Sequence, residues 1–248
     1  MYEVQINKSD KKRIRMLDAL RGIAICGMVL HHAVVSFEIV FGTSVEFLQT
    51  PVFLSLQLVF VAVFLLVSGI CTNLGKHLLR RGLTVTGAAI VVTLVTAVIL
   101  PAFGMTGIQI YFGILHMFGL SMLLYAAIRK LMAYVPAMAG AIVSLLLFIA
   151  YYIFYLNAPL TNGYGLLLFG VVPYGFYSAD YYPLFPFFFL FLCGTFVGRY
   201  VADKRFPAWF YSFSMPAFEL IGRHPLIIYL LHQPVIFGIL SLIYSLVS

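Results

Sequence analysis

The run GLTVTGAAIVVTLVTAVILPAFGMTGIQIYFGILHMFGLSMLLYAAI, residues 82–128, contains no Asp, Glu, Lys or Arg. A helix needs about 20 mainly apolar residues to cross the hydrocarbon core of a membrane. This run is therefore long enough for two such helices, with a break near Pro101, Gly104 and Gly107. It predicts a pair of membrane-spanning helices rather than part of a soluble core.

The rest of the chain extends this pattern, because residues 47–75, 131–179, 181–198 and 224–248 are also free of charged side chains. Only 9% of the 248 residues are charged, against about 25% in soluble domains. Intrinsic disorder is excluded as well, because 24 Phe and 16 Tyr need to be buried. The predicted fold class is all-α, a polytopic membrane helix bundle of about seven transmembrane helices.

The charge-free runs and the Pro and Gly positions give approximate bounds for these helices. We expect them near 16–38, 51–74, 83–102, 109–128, 134–156, 183–201 and 221–246. We expect the semi-polar segment 157–179 to be an external loop that partly re-enters the membrane.

Lys and Arg residues mark one side of the predicted bundle. They precede helix 1 and follow helices 2, 4 and 6, whereas the loops around 39–50, 103–108 and 157–182 carry none. Cytoplasmic loops are enriched in Lys and Arg, so the N-terminus is predicted to be cytoplasmic. Residues 1–15 then form a basic cytoplasmic segment and residues 16–248 a single transmembrane domain.

The net charge of +7 is therefore a sign of topology. No basic face of a soluble domain is available, so nucleic acid is excluded as a partner. The lipid bilayer is the expected partner, a homo-oligomer stays open, and a bacterial or archaeal cell membrane is the expected location. Cys26, Cys71 and Cys193 all lie inside predicted spans, and no metal-binding pattern occurs. We therefore expect neither disulfides nor a metal.

Polar residues at membrane depth are candidates for function. Arg21 and His32 lie eleven residues apart, about three turns, so they share one helix face and are separated by about 16 Å along the axis. An Asp18–Arg21 pair that anchors the helix is the alternative explanation for Arg21. His31 next to His32 adds a second imidazole at this depth.

Other polar positions leave structural and functional interpretations open. His116 could be catalytic or a hydrogen-bonded core residue; His232 and Gln233 could line a site or satisfy a kink at Pro234. Asp180 could orient a histidine, bind an acceptor or cap helix 6. The basic residues of the loop after helix 2 could simply determine the topology of the chain in the membrane. Alternatively, Arg80 and Arg81 of this loop could form an anion pocket together with Arg21 and Arg223.

Five segments, in this order, resemble the transmembrane acyltransferase superfamily, and within it the branch related to the heparan-alpha-glucosaminide N-acetyltransferase catalytic domain. They are Leu20-Arg21-Gly22-Ile23-Ala24 followed by His32; Leu66-Val67-Ser68-Gly69-Ile70; Phe112-Gly113-Ile114-Leu115-His116; Asp180-Tyr181-Tyr182-Pro183-Leu184-Phe185-Pro186; and Ile221-Gly222-Arg223-His224-Pro225 running on to Leu231-His232-Gln233-Pro234. The likeness extends over about residues 13–240.

This resemblance implies acyl transfer across the bilayer. The donor would be a cytosolic acyl-CoA, usually acetyl-CoA, and the acceptor a hydroxyl or amine of a sugar or related molecule on the outer side. His32 matches the catalytic histidine of the family and Arg21 its basic partner. The family pattern also implies an acidic residue four positions after the histidine. Here Ser36 stands at that position, so the role of the acid would pass to Glu38, to Asp180 or to no residue.

The expected site combines these residues in three groups. The expected catalytic residues are His32, His116 and Asp180; the expected acyl-CoA ligands are Arg21, Arg80, Arg81 and Arg223; the expected acceptor contacts are His31, Glu38, Tyr181, His232 and Gln233. His32 would act as general base, with a covalent acyl-histidine as the variant.

Two other functions remain open at this stage. A transporter or flippase could use the same His and Arg residues as a substrate or proton path. A membrane subunit without chemistry would pair its polar residues with one another and contain no continuous cavity. A tunnel from the Arg80/Arg81 loop to His32 would favour the enzyme over both.

Overall fold

A computed structural model describes residues 13–247 of the chain, so most of the predicted basic segment 1–15 lies outside the described residues. Within this described part of the chain, seven helices are long and apolar enough to cross a membrane. They are α1 (Arg15–Phe41), α2 (Pro51–Thr72), α3 (Leu78–Ala102), α4 (Ile114–Met132), α5 (Ala137–Leu156), α6 (Leu184–Ala202) and, after the short helices α7 (Ala208–Ser212) and α8 (Pro216–Arg223), α9 (Pro225–Val247). The predicted all-α bundle of seven spanning helices is confirmed.

Three predicted helix starts differ from the structure by four or five residues, and the first is that of α3, which begins at Leu78 rather than near 83. Helix α4 begins at Ile114 rather than near 109, because side chains of α3 take the hydrogen bonds of the preceding backbone: the Thr93 hydroxyl donates to the Ile110 carbonyl at 2.8 Å, and the Ile110 N–H donates to Thr96 Oγ1 at 3.1 Å. The last span begins at Pro225 rather than 221. Proline lacks the N–H that would continue α8 and suits the first position of a helix.

Helix α6 forms the centre of the bundle and contacts α2, α4 and α5. Helix α1 contacts α2, α8 and α9, while α3 lies against α4. The core around α6 contains Leu65, Met117, Phe191 and Phe196, each almost completely buried. Because α3 and α4 pack on one side and α1 and α9 on the other, space remains between these two pairs.

Glycines allow α1 and α8 to cross in backbone contact. A Cβ at Gly22 would overlap the carbonyl of Phe218, and one at Gly222 would overlap the carbonyl of Asp18. Small residues permit this kind of close approach between membrane helices. The crossing places the Gly222 carbonyl next to Arg21, whose guanidinium donates to it at 3.2 Å.

The segment between α5 and α6 contains a 3₁₀ helix, Tyr164–Phe169. The Tyr181 hydroxyl donates to the Leu167 carbonyl at 2.7 Å, and the Tyr151 hydroxyl donates to the Phe169 carbonyl at 3.2 Å. These bonds fasten the loop to the ends of α5 and α6. Its re-entry into the membrane stays a prediction, as does the cytoplasmic position of the N-terminus.

Candidate active site

Two cavities lie in the space between the helix pairs, and they share the side chains of Met28 and Ile114 as walls. The larger cleft has a volume of about 290 Å³, and the smaller cavity one of about 10 Å³, room for about one water molecule. One face of α1 runs past both. Arg21, Ile25 and Met28 line the larger cleft, and Met28 and His32 line the smaller cavity. Spacings of four, three and four residues keep these side chains on one helix face.

The larger cleft is mainly apolar, and its polar lining consists of Ser68, Thr84, Tyr229 and three arginines. Its apolar walls come mainly from α4, with contributions from α1, α2, α3 and α9. Arg21, Arg80 and Arg81 all line the cleft. Three guanidinium groups at one cavity form a strong site for a phosphate-bearing ligand.

Arg21 is held in place by three contacts, including the predicted pair with Asp18 at 3.5 Å. It also donates to the Gly222 carbonyl and to the Cys71 sulfur, the latter at 2.9 Å. Arg223, the fourth expected arginine, does not line either cavity. Its guanidinium lies 3.4 Å from the buried carboxylate of Glu219, on the same short helix.

The smaller cavity has both polar and apolar walls and is lined by His32. The polar walls are His31, His32, Gln57, Asp180 and Tyr182. The His31 ring stacks on Phe53 with 4.5 Å between ring centroids. The Gln57 amide donates to the Tyr182 hydroxyl at 2.8 Å.

The His32 imidazole is held by a neutral hydrogen-bond chain. Its Nδ1 lies 2.9 Å from the Gln233 side-chain nitrogen, and the Ser36 hydroxyl donates to the Gln233 side-chain oxygen at 3.3 Å. Ser36 is almost completely buried. Ser36 and Gln233 thus occupy the place where the family pattern implies a carboxylate, so Glu38 is not needed there.

His232 lies behind His32, with 5.0 Å between the two ring centroids. Its Nδ1 contacts the Tyr229 carbonyl, which only accepts hydrogen bonds, so Nδ1 carries the proton. Its Nε2 is buried and has no hydrogen-bond partner within residues 13–247. The side chains of His232 and Gln233 therefore both contact His32, and neither of them lines a cavity.

Asp180 joins the two cavities. Its Oδ2 accepts the Ile114 N–H and the Tyr229 hydroxyl, both at 3.0 Å. Asp180 lines the smaller cavity and Tyr229 the larger, so this hydrogen bond lies between them. Burial raises the pKa of the Asp180 carboxyl above its ordinary value, and its two hydrogen bonds act in the opposite direction. The helix that it caps is α4, not α6.

Besides Arg223, His232 and Gln233, three further expected site residues lie outside both cavities. His116 accepts the Gly113 N–H at Nδ1, so Nε2 carries the proton and donates to Thr93 Oγ1 at 3.1 Å. Glu38 accepts the Val45 N–H at 3.3 Å. Tyr181 is bound to the external loop. Roles of these three residues in catalysis or acceptor binding stay predictions.

Sequence reasoning missed Gln57 and Tyr182 as wall residues. Gln57 is an amide within a charge-free span, and Tyr182 follows Asp180 in a segment already singled out. Both could have been found from the cost of a polar group at membrane depth. Within residues 13–247, no three His, Cys, Asp or Glu side chains lie together as a group that could hold a metal.

The family model for the catalytic domain of heparan-alpha-glucosaminide N-acetyltransferase matches residues 13–234. The chain belongs to this family. The resemblance predicted from the five segments is thereby confirmed. No curated protein and no solved structure matches the chain. Family membership and the seven apolar helices make it an integral membrane protein of an acetyltransferase-like class.

Proposed function

We propose that this protein transfers an acyl group, normally acetyl, from cytosolic acyl-CoA to a hydroxyl or amine of an extracytoplasmic sugar or related acceptor. The observation that carries the proposal is the order of side chains along α1. Arg21 stands at the large cleft, His32 in the small cavity, and Met28 between them in both walls. A membrane subunit without chemistry needs no such path.

The donor occupies the larger cleft, with its phosphates at the arginines. The guanidinium groups of Arg80 and Arg81 are on exposed side chains and provide positive charge at the cleft. The Arg21 guanidinium, in contrast, is held in place by Asp18 and the Gly222 carbonyl. The thin pantetheine arm follows the apolar walls towards Met28 and Ile114. The thioester then reaches the smaller cavity, where His32 and Asp180 lie.

His32 acts as the general base in this cavity. The acceptor O–H or N–H proton passes to the imidazole as the new C–O or C–N bond forms, and the proton passes on to the CoA sulfur when the C–S bond breaks. A base needs a lone pair at Nε2 and therefore a proton at Nδ1. The Gln233 amide can present either its oxygen or its nitrogen to Nδ1 of His32. When it is rotated by 180°, its oxygen faces Nδ1 and accepts the hydrogen bond from the Nδ1 proton, which stabilises this tautomer.

Asp180 positions the two cavities relative to each other. It connects the first N–H of α4 with the Tyr229 hydroxyl on α9. With its raised pKa, the carboxyl is suited to be protonated and to donate a hydrogen bond through its other oxygen. A donor at this place would stabilise negative charge on the reacting carbonyl oxygen.

The test is acetyl transfer by the purified, detergent-solubilised protein. Acetyl-CoA is the donor, glucosamine and methyl glucoside are the amine and hydroxyl probes, and mass spectrometry detects the acetylated sugar. We expect product from the wild type and none from His32→Ala. The matched control is His77→Asn, because His77 is exposed and has a φ of 61°, which asparagine tolerates. Transfer that survives in His32→Ala would contradict the assigned base.

A further inference from the structure

The backbone at the start of α4 binds the loop between α5 and α6. We call residues 109–114 the entry segment of α4. Three hydrogen bonds join it to residues 178–182: the Ala179 N–H donates to the Gln109 carbonyl at 2.8 Å, the Tyr182 N–H to the Phe112 carbonyl at 3.3 Å, and the Tyr111 N–H to Ser178 Oγ at 3.2 Å. Residues 178–182 include Asp180 and Tyr182, which line the smaller cavity. The position of these two walls therefore depends on the entry segment.

Asp180 is the wall residue that depends on the entry segment most directly. Its Oδ2 accepts the Ile114 N–H at 3.0 Å, and a Cβ at Gly113 would overlap its carboxylate. The carboxylate thus lies against the backbone where α4 begins. A displacement of the entry segment would move Asp180 relative to His32, because a hydrogen bond weakens steeply when its length or angle changes.

His116 and Thr93 fasten the entry segment to α3. Nδ1 of His116 accepts the Gly113 N–H at 3.2 Å, and Nε2 donates to Thr93 Oγ1 at 3.1 Å. The Thr93 hydroxyl in turn donates to the Ile110 carbonyl at 2.8 Å. Because both imidazole nitrogens are bound within this chain of hydrogen bonds, His116 presents no free lone pair for proton transfer.

We propose that His116 is a positioning residue for acyl transfer. Together with Thr93 it holds the entry segment, and the entry segment holds Asp180 and Tyr182 in the walls that they share with His32. The proposal rests on the proposed function, because it concerns the cavity in which transfer takes place. His116 lines neither cavity, so it acts through Asp180 and not on the substrates themselves. This role replaces the catalytic one expected from the sequence.

The experiment compares His116→Ala with His116→Gln in the acetyl-transfer assay. His116 is the third residue of α4, a position from which a glutamine side chain can accept the N–H of the residue before the helix. The glutamine amide can also donate to Thr93. His116→Gln therefore restores both hydrogen bonds but supplies no group that titrates near neutral pH.

We expect turnover to fall by about 10- to 100-fold in His116→Ala, the order of a misplacement of about 1 Å. In His116→Gln turnover should return to within about threefold of the wild-type value. The KM for acetyl-CoA should stay within about twofold of wild type in both variants, because the arginine contacts of the larger cleft remain.

Hydrogen exchange followed by mass spectrometry gives a readout that does not depend on turnover. His116→Ala should increase exchange in peptides that cover residues 178–182 as well as in the entry segment, because the two are hydrogen-bonded to each other. His116→Gln should leave both near the wild-type level. A role confined to the local structure of α4 would change only the entry segment.

Thr93→Val and Thr195→Val form a matched pair of variants. Thr93→Val removes the hydroxyl that links His116 to the entry segment, so turnover should fall as in His116→Ala. The Thr195 hydroxyl donates to the Leu192 carbonyl within its own helix at 2.7 Å, so Thr195→Val should keep wild-type turnover. Thermal melts check that every variant is folded at the assay temperature.

The possible outcomes separate this inference from the proposed function. If His116→Gln is as inactive as His116→Ala, the positioning role is wrong and His116 transfers a proton, while the proposed function stands. Wild-type turnover in His116→Ala, a raised KM with unchanged turnover, or unchanged exchange in residues 178–182 would also overturn the inference. If the wild type acetylates neither sugar probe, the proposed function is wrong and the role of His116 in it falls as well.

Discussion

The two cavities share Met28 and Ile114 but differ in almost every other property. The larger cleft is wide, apolar and bordered by arginines, and the smaller cavity is narrow and carries most of the buried polar groups near His32. Arginines at a broad opening suit binding of a charged ligand, whereas a small, polar and buried cavity suits chemistry that excludes water. In the proposed function, binding and reaction are accordingly separated along one helix face. Changes in either cavity should therefore affect different measurable quantities.

The largest expected effect comes from the smaller cavity. His32→Ala removes the proposed base, and acetyl transfer should fall by about 10²–10⁴-fold. The dissociation constant of acetyl-CoA should change by less than about twofold, because the arginine contacts of the larger cleft remain. Transfer kinetics and calorimetry on the same preparation check both values. A parallel loss of binding and transfer would mean that the cavities do not have separate roles.

The corresponding change in the larger cleft is Arg80→Ala/Arg81→Ala. Each charge-assisted contact with phosphate contributes about 1.5–3 kcal/mol, so acetyl-CoA binding should weaken by at least about tenfold. Transfer at saturating acetyl-CoA should be largely retained. The control is Arg205→Ala, because Arg205 is exposed and pairs with Asp203 away from the cleft. Equal weakening in the control would indicate a general charge effect rather than a site.

A smaller effect is expected from the hydrogen-bond chain behind His32. Gln233→Met keeps a side chain of similar length but removes the amide that holds Nδ1, so the turnover rate should fall by about tenfold while the KM for acetyl-CoA is unchanged. Gln233→Asn tests how far a shortened amide restores the rate. A raised KM without a change in turnover would place Gln233 in ligand binding instead.

The smallest expected effect concerns stability at the junction of the cavities. Because the pKa of Asp180 is raised in the fold above 3.8, its contribution to stability is present at low pH and is lost as pH rises through the raised pKa. Asp180→Asn keeps an acceptor oxygen and cannot ionise. Its melting temperature relative to wild type should therefore rise between pH 4 and pH 8.

Scanning fluorimetry across this pH range checks the Asp180 prediction. Asp180→Ala serves as the comparison, since it leaves the buried Ile114 N–H without an acceptor and should cost about 1–3 kcal/mol at every pH. If the difference in melting temperature between Asp180→Asn and wild type does not vary with pH, ionisation of Asp180 does not destabilise the fold.

Much of the fold could be predicted from the sequence, because the charge-free runs are long and hydrocarbon imposes a simple length rule. The positions of Arg21 and His32 on one face of α1 followed from helical periodicity alone. The start of α4 differed from the prediction because it depends on contacts distant in sequence. Thr93 and Thr96 hold the backbone before α4, and no local pattern shows which helix will face that segment.

The site could be predicted in outline but not in detail for the same reason. Arg223 and Arg21 look alike in sequence, and each pairs with a carboxylate one turn earlier, yet only Arg21 lines the cleft. His116 and His32 also look alike, but Gly113 and Thr93 take both nitrogens of His116. Partners of this kind are determined by how helices pack, and periodicity does not show them.

The most direct test of the account is a crystal structure with a thioether analogue of acetyl-CoA that cannot transfer its acyl group. We expect phosphates at Arg21, Arg80 and Arg81, and the carbonyl carbon of the analogue's ketone in the smaller cavity. It should leave room for an acceptor O or N about 3–3.5 Å from that carbon and within hydrogen-bond reach of His32. An analogue bound with its acyl end outside that cavity, or with its phosphates away from the three arginines, would contradict the central claim that the two cavities form one path.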